Sequence, residues 1–513
     1  MRAKRLAFAV GWGCIALLGA GRMAGGQEKP VVDQLLDILR QNKMISDQQY
    51  QELKQKAEQE RKWAPVAPPS PSPSPVVAGA PPASPAPVPA PPGDTLRAYF
   101  KNGFNLETAD GRFKFAPIVL TQLDWNVSDP GSAVNKKFKL GGTSTGVEFR
   151  RARLGFQGVV FGNIDYKFEY DFAEQTGGQP SFKDVYMGMS QIPWVQYIRV
   201  GHFKEPYSLD ELTPDTYTTF MERGLPNAFA NPGTTQFSNG SSGTDRNTGV
   251  AVYQNYFDQH MAVMTGGFRL SDNFGNGFGT DSPYDFNARI SGVPLYDVGN
   301  TLLHLGFSYA YKFRHFDPQN PNQNTISFAN RPEAHLFPVN LVNTTTIPTN
   351  GVNLLDPEVA FVLGPFAAQG EYMWALVDQA PFVCAGSPLT CKPTVTRPSN
   401  PSFGGGYIEA SYFLTGESRS SFYKTQYGWF DRVIPIHNFW IDGSGWGAWQ
   451  VAVRYSYLDL DSARVHGGAL DDITGGINWY LNPVSRITVN YVWAHLQSVG
   501  DSNIVEGRFQ LAW

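Results

Sequence analysis

Cysteine is nearly absent from this chain of 513 residues, with 3 in all. Cys14 lies in the first apolar run, which leaves Cys384 and Cys391, in an exported chain, as candidates for one small loop disulfide. A disulfide-stapled scaffold or a multi-cysteine metal domain is excluded, because each needs more sulfur at fixed spacing. Histidine is scarce too, at 8. His202, His260, His304 and His315 are scattered, no two spaced as a metal pair, and no nucleophile motif accompanies them. No metal, no cofactor and no enzyme activity are therefore expected. Charged residues make up 17%, and a net charge of −4 is too small to imply nucleic acid or an anionic membrane surface as partner. Long hydrophobic runs are missing as well. Nothing after residue 30 approaches the ~20 apolar residues of a membrane helix, and the mean hydropathy is −0.28.

Aromatics and glycine are plentiful, at 14% and 52 residues. That combination at low hydropathy suits a transmembrane antiparallel β-barrel, whose strands need only every second residue apolar. A soluble all-β protein fits the composition equally well, so the pattern along the chain has to separate the two. From about Leu96 to Trp513 the pattern has period two. Asp165, Lys167, Glu169 and Asp171 alternate with Tyr166, Phe168, Tyr170 and Phe172, and a pleated strand sends the two sets to opposite faces. The same holds around Trp449–Tyr457, Ile473–Leu481, Arg486–Trp493 and Val505–Trp513. Aromatics recur towards the strand ends, as interface girdles require. The chain stops on an outward-facing aromatic, Trp513, inside its last strand. At roughly 26 residues per strand and connection, 96–513 holds about 16 strands. Asn482-Pro483 and Gly162-Asn163 read as short turns, while 205–246, 314–357 and 377–402 read as long loops.

The first residues have the order of a secretory signal peptide. Arg2, Lys4 and Arg5 precede an apolar run from Leu6 to Leu18, then Ala24, Gly25 and Gly26, with cleavage placed after Gly26. Residues 27–63 read as a short helical, periplasmic arm with a coiled-coil option: Val32, Leu35, Leu36 and Leu39 recur at helical spacing, and Ser46 with Gln49 forms a capping box. Residues 64–93 hold 13 prolines among Ala, Ser and Val, an extended spacer with no core of its own. The expected organisation is signal peptide, arm, linker, then the barrel at 96–513.

In the segment RRARLGF, Ala152, Leu154 and Phe156 would face lipid, so Arg151 and Arg153 would face the lumen. Inward arginine and lysine are how pores select anions, and a guanidinium is a planar fork matched to phosphate oxygens. Lys167, Arg199, Lys204, Arg454, Arg486 and Arg508 are further lumen cations, with Asp165, Glu169, Asp171 and Asp184 available to balance them. The bland alternative is that such charges only solvate the interior.

The blocks RRARLGFQGVVFGNIDYKFEYDFA (150–173), KDVYMG (183–188), RVGHFKEPYSLDEL (199–212), TFMERGLPNAF (219–229), DRNTGV (245–250) and SYFLTGE (411–417) resemble the phosphate-selective porin O/P family. The resemblance covers most of 96–513. It implies a trimer of 16-stranded barrels in the bacterial outer membrane, a third loop folded inward, and uptake of phosphate or polyphosphate. By the same resemblance Arg150 and Arg151 would sit at the constriction, Lys204 would be a lumen cation near the binding site, and Asp184 would be the balancing acid. Alternation points Arg151 and Arg153 inward while the resemblance offers Arg150 and Arg151, and a regular strand cannot satisfy both unless a bulge intervenes. The competing expectations are a general or sugar-permeable pore, disfavoured by aromatics that alternate outward, and a structural tether whose arm binds peptidoglycan or a periplasmic partner.

Overall fold

The structure, a computed structural model, describes residues 50, 51, 54, 95–173, 180–232, 246–277, 283–314, 325–380, 399–440, 445–462 and 464–513. The expected signal peptide and linker, nearly all of the expected arm, and the candidate disulfide pair Cys384 and Cys391 lie outside the described residues. The chain divides into two units, Met1–Pro87 and Val88–Trp513. Of the first, only Tyr50, Gln51 and Lys54 are described, and all three are helical.

The second unit is a closed antiparallel barrel of 16 strands. In order they are Lys114–Asp129, Ser144–Val160, Ile164–Asp171, Ser181–Ile192, Gln196–Lys204, Arg246–Tyr256, Met261–Arg269, Tyr284–Asp297, Thr301–Phe313, Ile347–Leu363, Phe366–Gln379, Ser402–Phe413, Ala448–Ser462, Val465–Asn482, Ser485–Leu496 and Gly500–Ala512. Each pairs with the next, and the last pairs with the first from Asn503↔Asp129 to Ala512↔Leu120. Gln122 donates to Gln510 across that seam at 2.7 Å. Closure leaves no strand edge whose backbone would be stranded in hydrocarbon. A hairpin, Leu96–Phe100 with Phe104–Thr108, adds to the start of the first strand.

The two faces of the sheet carry different chemistry, as period two demands. Leu154, Phe156, Val453, Ile477, Val489 and Phe509 are exposed on the outer surface. Their neighbours Arg153, Glu169, Asp171, Arg454, Thr474, Asn478, Asn490 and Arg508 are buried inside.

Seven connections lie at the end of the barrel where Trp513 sits, and six of these are short, including 161–163 and 483–484. Short turns belong to the periplasmic end of outer-membrane barrels. The seventh, 414–447, is long, and the sequence pattern did not announce it. Its residues Tyr423 and Phe430 are buried against Leu302, Ala360 and Val362 of the wall. Arg289 holds it from inside, donating to the carbonyls of Tyr427 at 2.9 Å and Gly428 at 2.7 Å. Gly428 has φ +67°, and a Cβ there would meet Ser291 Oγ at 2.2 Å, so only glycine allows this approach.

From the opposite end, segments 205–232 and 325–346 also turn inward. Tyr207, Leu225 and Phe229 of the first and Phe328, Phe337 and Leu341 of the second form one apolar cluster with wall residues such as Val352, Phe403, Leu458 and Val492. Part of the barrel interior is therefore a dry core. The expected loop 314–357 is shorter than read, because strand Ile347–Leu363 begins inside it. Pro348, Gly351 and Pro357 masked that strand. Its ladder to Phe366–Gln379 skips Asp356 and Pro357 between Leu355↔Trp374 and Glu358↔Glu371, where proline has no N–H to give.

Phe328 is fully buried, edge-on to Phe229 at 5.1 Å and to Phe403 at 5.7 Å. Phe328→Ala should cost about 3–5 kcal/mol, read as a lower denaturation midpoint in detergent. An unchanged midpoint would show that the inward segments add nothing to stability.

Candidate functional site

The candidate site is the lumen wall around segment 205–232. That segment is irregular, so its backbone groups need partners from elsewhere. Arginines of the surrounding elements supply them. Arg486 Nη1 donates to the Thr218 carbonyl at 2.7 Å, Arg508 Nη1 to the Met221 carbonyl at 2.5 Å and Arg454 Nη2 to the Glu222 carbonyl at 2.9 Å. Arg419, from the periplasmic inward segment, donates to Thr219 Oγ1 at 2.6 Å. At the root of the segment, Leu209 and Asp210 donate their N–H groups to the Glu371 carboxylate at 2.5 and 3.0 Å.

Side-chain ion pairs complete the attachment. The strand bearing RRARLGF has a register shift, Gln122↔Arg151 followed by Leu123↔Phe149, which leaves Arg150 without a partner position. This bulge turns Arg150, Arg151 and Arg153 all inward. Arg150 grips Glu222 with both arms, at 3.0 and 3.1 Å. Arg153 reaches Asp171 at 2.8 Å, Glu169 at 3.3 Å and Asp215 at 3.1 Å. Asp215 also lies 3.1 Å from Arg151, 2.7 Å from Arg223 and 3.7 Å from Lys204. Four cations thus crowd one carboxylate.

The other sequence candidates are also inside, in varied company. Lys204 bonds Glu211 at 2.8 Å. Asp184 bridges Lys167 and Arg246, 2.7 Å from each. Arg454 pairs with Glu333 of segment 325–346 at 2.5 Å, and Arg508 with Asp124 at 2.7 Å. Arg199 is stacked among aromatic rings instead. Most of these arginines are thereby engaged in holding inward segments. His304 is a wall residue, bonded to Tyr423 Oη at 2.6 Å. Asp215, Glu222, Arg223, Glu333 and Arg419 escaped the sequence reading. The block TFMERGLPNAF contains two of them, but nothing in a loop sequence says which wall residue it will meet.

The signature of the family described as phosphate-selective porin O and P matches residues 128–513. The chain belongs to that family. The porin is 23% identical to Porin O of Pseudomonas aeruginosa over 434 residues, 79% of this chain and 88% of that protein. It is 28% identical to a Caulobacter vibrioides protein over 83% of this chain and 78% of the other. Among solved structures, the anion-selective porin from Comamonas acidovorans aligns at TM-score 0.47 and 10% identity, covering 78% of this porin and all 100% of that chain. OmpT of Vibrio cholerae aligns at 0.44 and 9%, covering 78% and 98%. The porin is an outer-membrane channel by family and fold.

Burial alone would raise the Asp215 carboxyl, but Arg151, Lys204, Arg153 and Arg223 hold it well below the ordinary carboxylate range. Glu222 is likewise held low against burial by Arg150 and Arg508. Both titrate lower folded than unfolded, so the stability they lend is complete above the unfolded value of about 4. It is lost progressively as pH falls from that value through the lower, folded one. Glu222→Gln, which removes one arm of this clamp, should therefore lower the protease resistance of segment 205–232 by the same factor at pH 7 and at about pH 5. A factor that already shrinks above about pH 5 would contradict the clamp.

Proposed function

We propose that this porin passes small anions, phosphate or polyphosphate among them, along the wall that carries Arg150, Arg151 and Arg153. The observation that carries this reading is the crowding of Arg151, Arg153, Lys204 and Arg223 around Asp215. A guanidinium has five N–H donors in a planar fork, and those of Arg151 meet only Gln122 and the shared Asp215 among the described residues. A passing oxyanion can take up the remaining donors and move on. Multi-site, individually weak binding of this kind is what conduction needs. The functional unit in this reading is a homotrimer, and the arm at 27–63 reaches a periplasmic partner or peptidoglycan.

A second reading has an observation of its own. Glu169, Asp171, Asp210 and Glu211 are interleaved with those cations in direct ion pairs, which favours a weakly selective, general pore.

Planar bilayers separate the two. In the anion reading, reversal potentials favour chloride over potassium and phosphate reduces the chloride current. Arg151→Gln should then raise the half-blocking phosphate concentration about tenfold, the loss of one charge-assisted hydrogen bond. Asp215 keeps three other cations in that variant, so the segment should stay docked. Cation selectivity, or block indifferent to Arg151, would sink the anion reading. Liposome swelling in neutral sugars that is as fast as through a general pore would favour the second.

A further inference from the structure

Aromatic rings do line part of the lumen, on the periplasmic side of the charged wall. Tyr186, Tyr197 and Tyr253 point inward from strands Ser181–Ile192, Gln196–Lys204 and Arg246–Tyr256, and they surround Arg199. The guanidinium carbon lies 4.1 Å from the Tyr186 ring centre, 4.9 Å from Tyr253, 5.4 Å from Phe203 and 5.5 Å from Tyr197. Its Nε donates to Tyr197 Oη at 3.1 Å, and that hydroxyl donates to Asp165 at 2.9 Å. Unlike Arg150, Arg153, Arg454 and Arg508, Arg199 forms no salt bridge to a carboxylate among the described residues. It is half-buried and faces the lumen.

The periplasmic inward segment extends this surface. Tyr427 meets Tyr253 edge-on at 6.2 Å and stacks on Trp429 at 4.6 Å with their planes 9° apart. Tyr186, Tyr427 and Trp429 are all half-buried, so each keeps part of its surface open to the lumen. Arg289 holds this segment in place through the Tyr427 and Gly428 carbonyls.

We infer that this surface is a subsite for an anion joined to a planar ring, such as an aromatic carboxylate. The inference deepens the anion reading above and rests on it. Stacking on rings occupies the faces of the Arg199 guanidinium and leaves its in-plane N–H edge for an oxyanion. The neighbouring Tyr427–Trp429 pair offers the flat apolar surface that a ring on the same solute would cover. A bare inorganic anion uses only the first of these features. A neutral ring uses only the second.

The test compares benzoate with acetate, which shares its charge but has no ring, as blockers of chloride current through the full-length porin in bilayers. Benzoate should half-block at roughly one tenth of the acetate concentration. That ratio should fall towards one in Arg199→Gln and in Trp429→Leu, with heat-modifiable migration in gels reporting that each barrel is folded. Arg199→Lys, which keeps the charge but not the planar fork, should restore only part of the preference. Equal block by benzoate and acetate, or a benzoate preference that survives both substitutions, overturns the subsite. Phosphate block in the unsubstituted porin reports on the anion reading separately. Phosphate block without benzoate preference defeats the subsite alone, and benzoate preference without phosphate block defeats the phosphate reading alone.

Discussion

The arrangement of the lumen depends on arginine N–H groups meeting main-chain carbonyls. A segment folded into a barrel carries peptide groups into a place where neither sheet nor bulk water serves them, and each unserved group is costly. Arg454, Arg486 and Arg508 stand on three wall strands and donate to the carbonyls of Glu222, Thr218 and Met221. Arg289 does the same for the periplasmic segment at Tyr427 and Gly428. Wall charge and loop backbone solve each other's desolvation.

The constraint divides the interior into regions of different use. On one side, Phe229, Phe328 and Phe403 form a dry apolar cluster that fixes two inward segments against the wall. Beside it runs the ion-pair lattice of Arg150, Arg151, Arg153, Asp215 and Glu222. Further towards the periplasm lies the aromatic surface around Arg199. Towards the periplasm the wall thus presents cations first among carboxylates and then among rings. Selectivity in such a lumen rests less on the number of positive residues than on how many of their donors are left over from structural work. Arg150 spends both arms on Glu222, whereas among the described residues Arg199 spends one N–H on a hydroxyl.

Much of the architecture was legible in the sequence because a barrel wall is governed by a local rule. Asp165–Phe172, Trp449–Tyr457 and Ile487–Trp493 alternate because lipid and lumen lie on opposite sides of each strand, and the burial of Glu169, Arg454 and Asn490 follows it. The reading failed where the local rule is suspended. Strand Ile347–Leu363 was hidden by its prolines. Connection 414–447 looked unremarkable although it enters the lumen. Inward aromatics such as Tyr186, Tyr253 and Tyr427 went unnoticed because outward ones outnumber them in the clearest strands.

The sequence by itself determined the strands, their two faces, the family and the identity of the basic residues, all of which depend on neighbours two positions away or on contiguous blocks. Only the tertiary structure decided what those basic residues touch. Closing the sheet brings Arg508 beside Asp124, 384 positions apart, and folding loops inward sets Asp215 and Glu222 against the wall. A bulge of one residue at Arg150 put three nearby arginines on one face. Such pairings depend on register, closure and loop trajectory, which are properties of the whole sheet and are not written in any single strand.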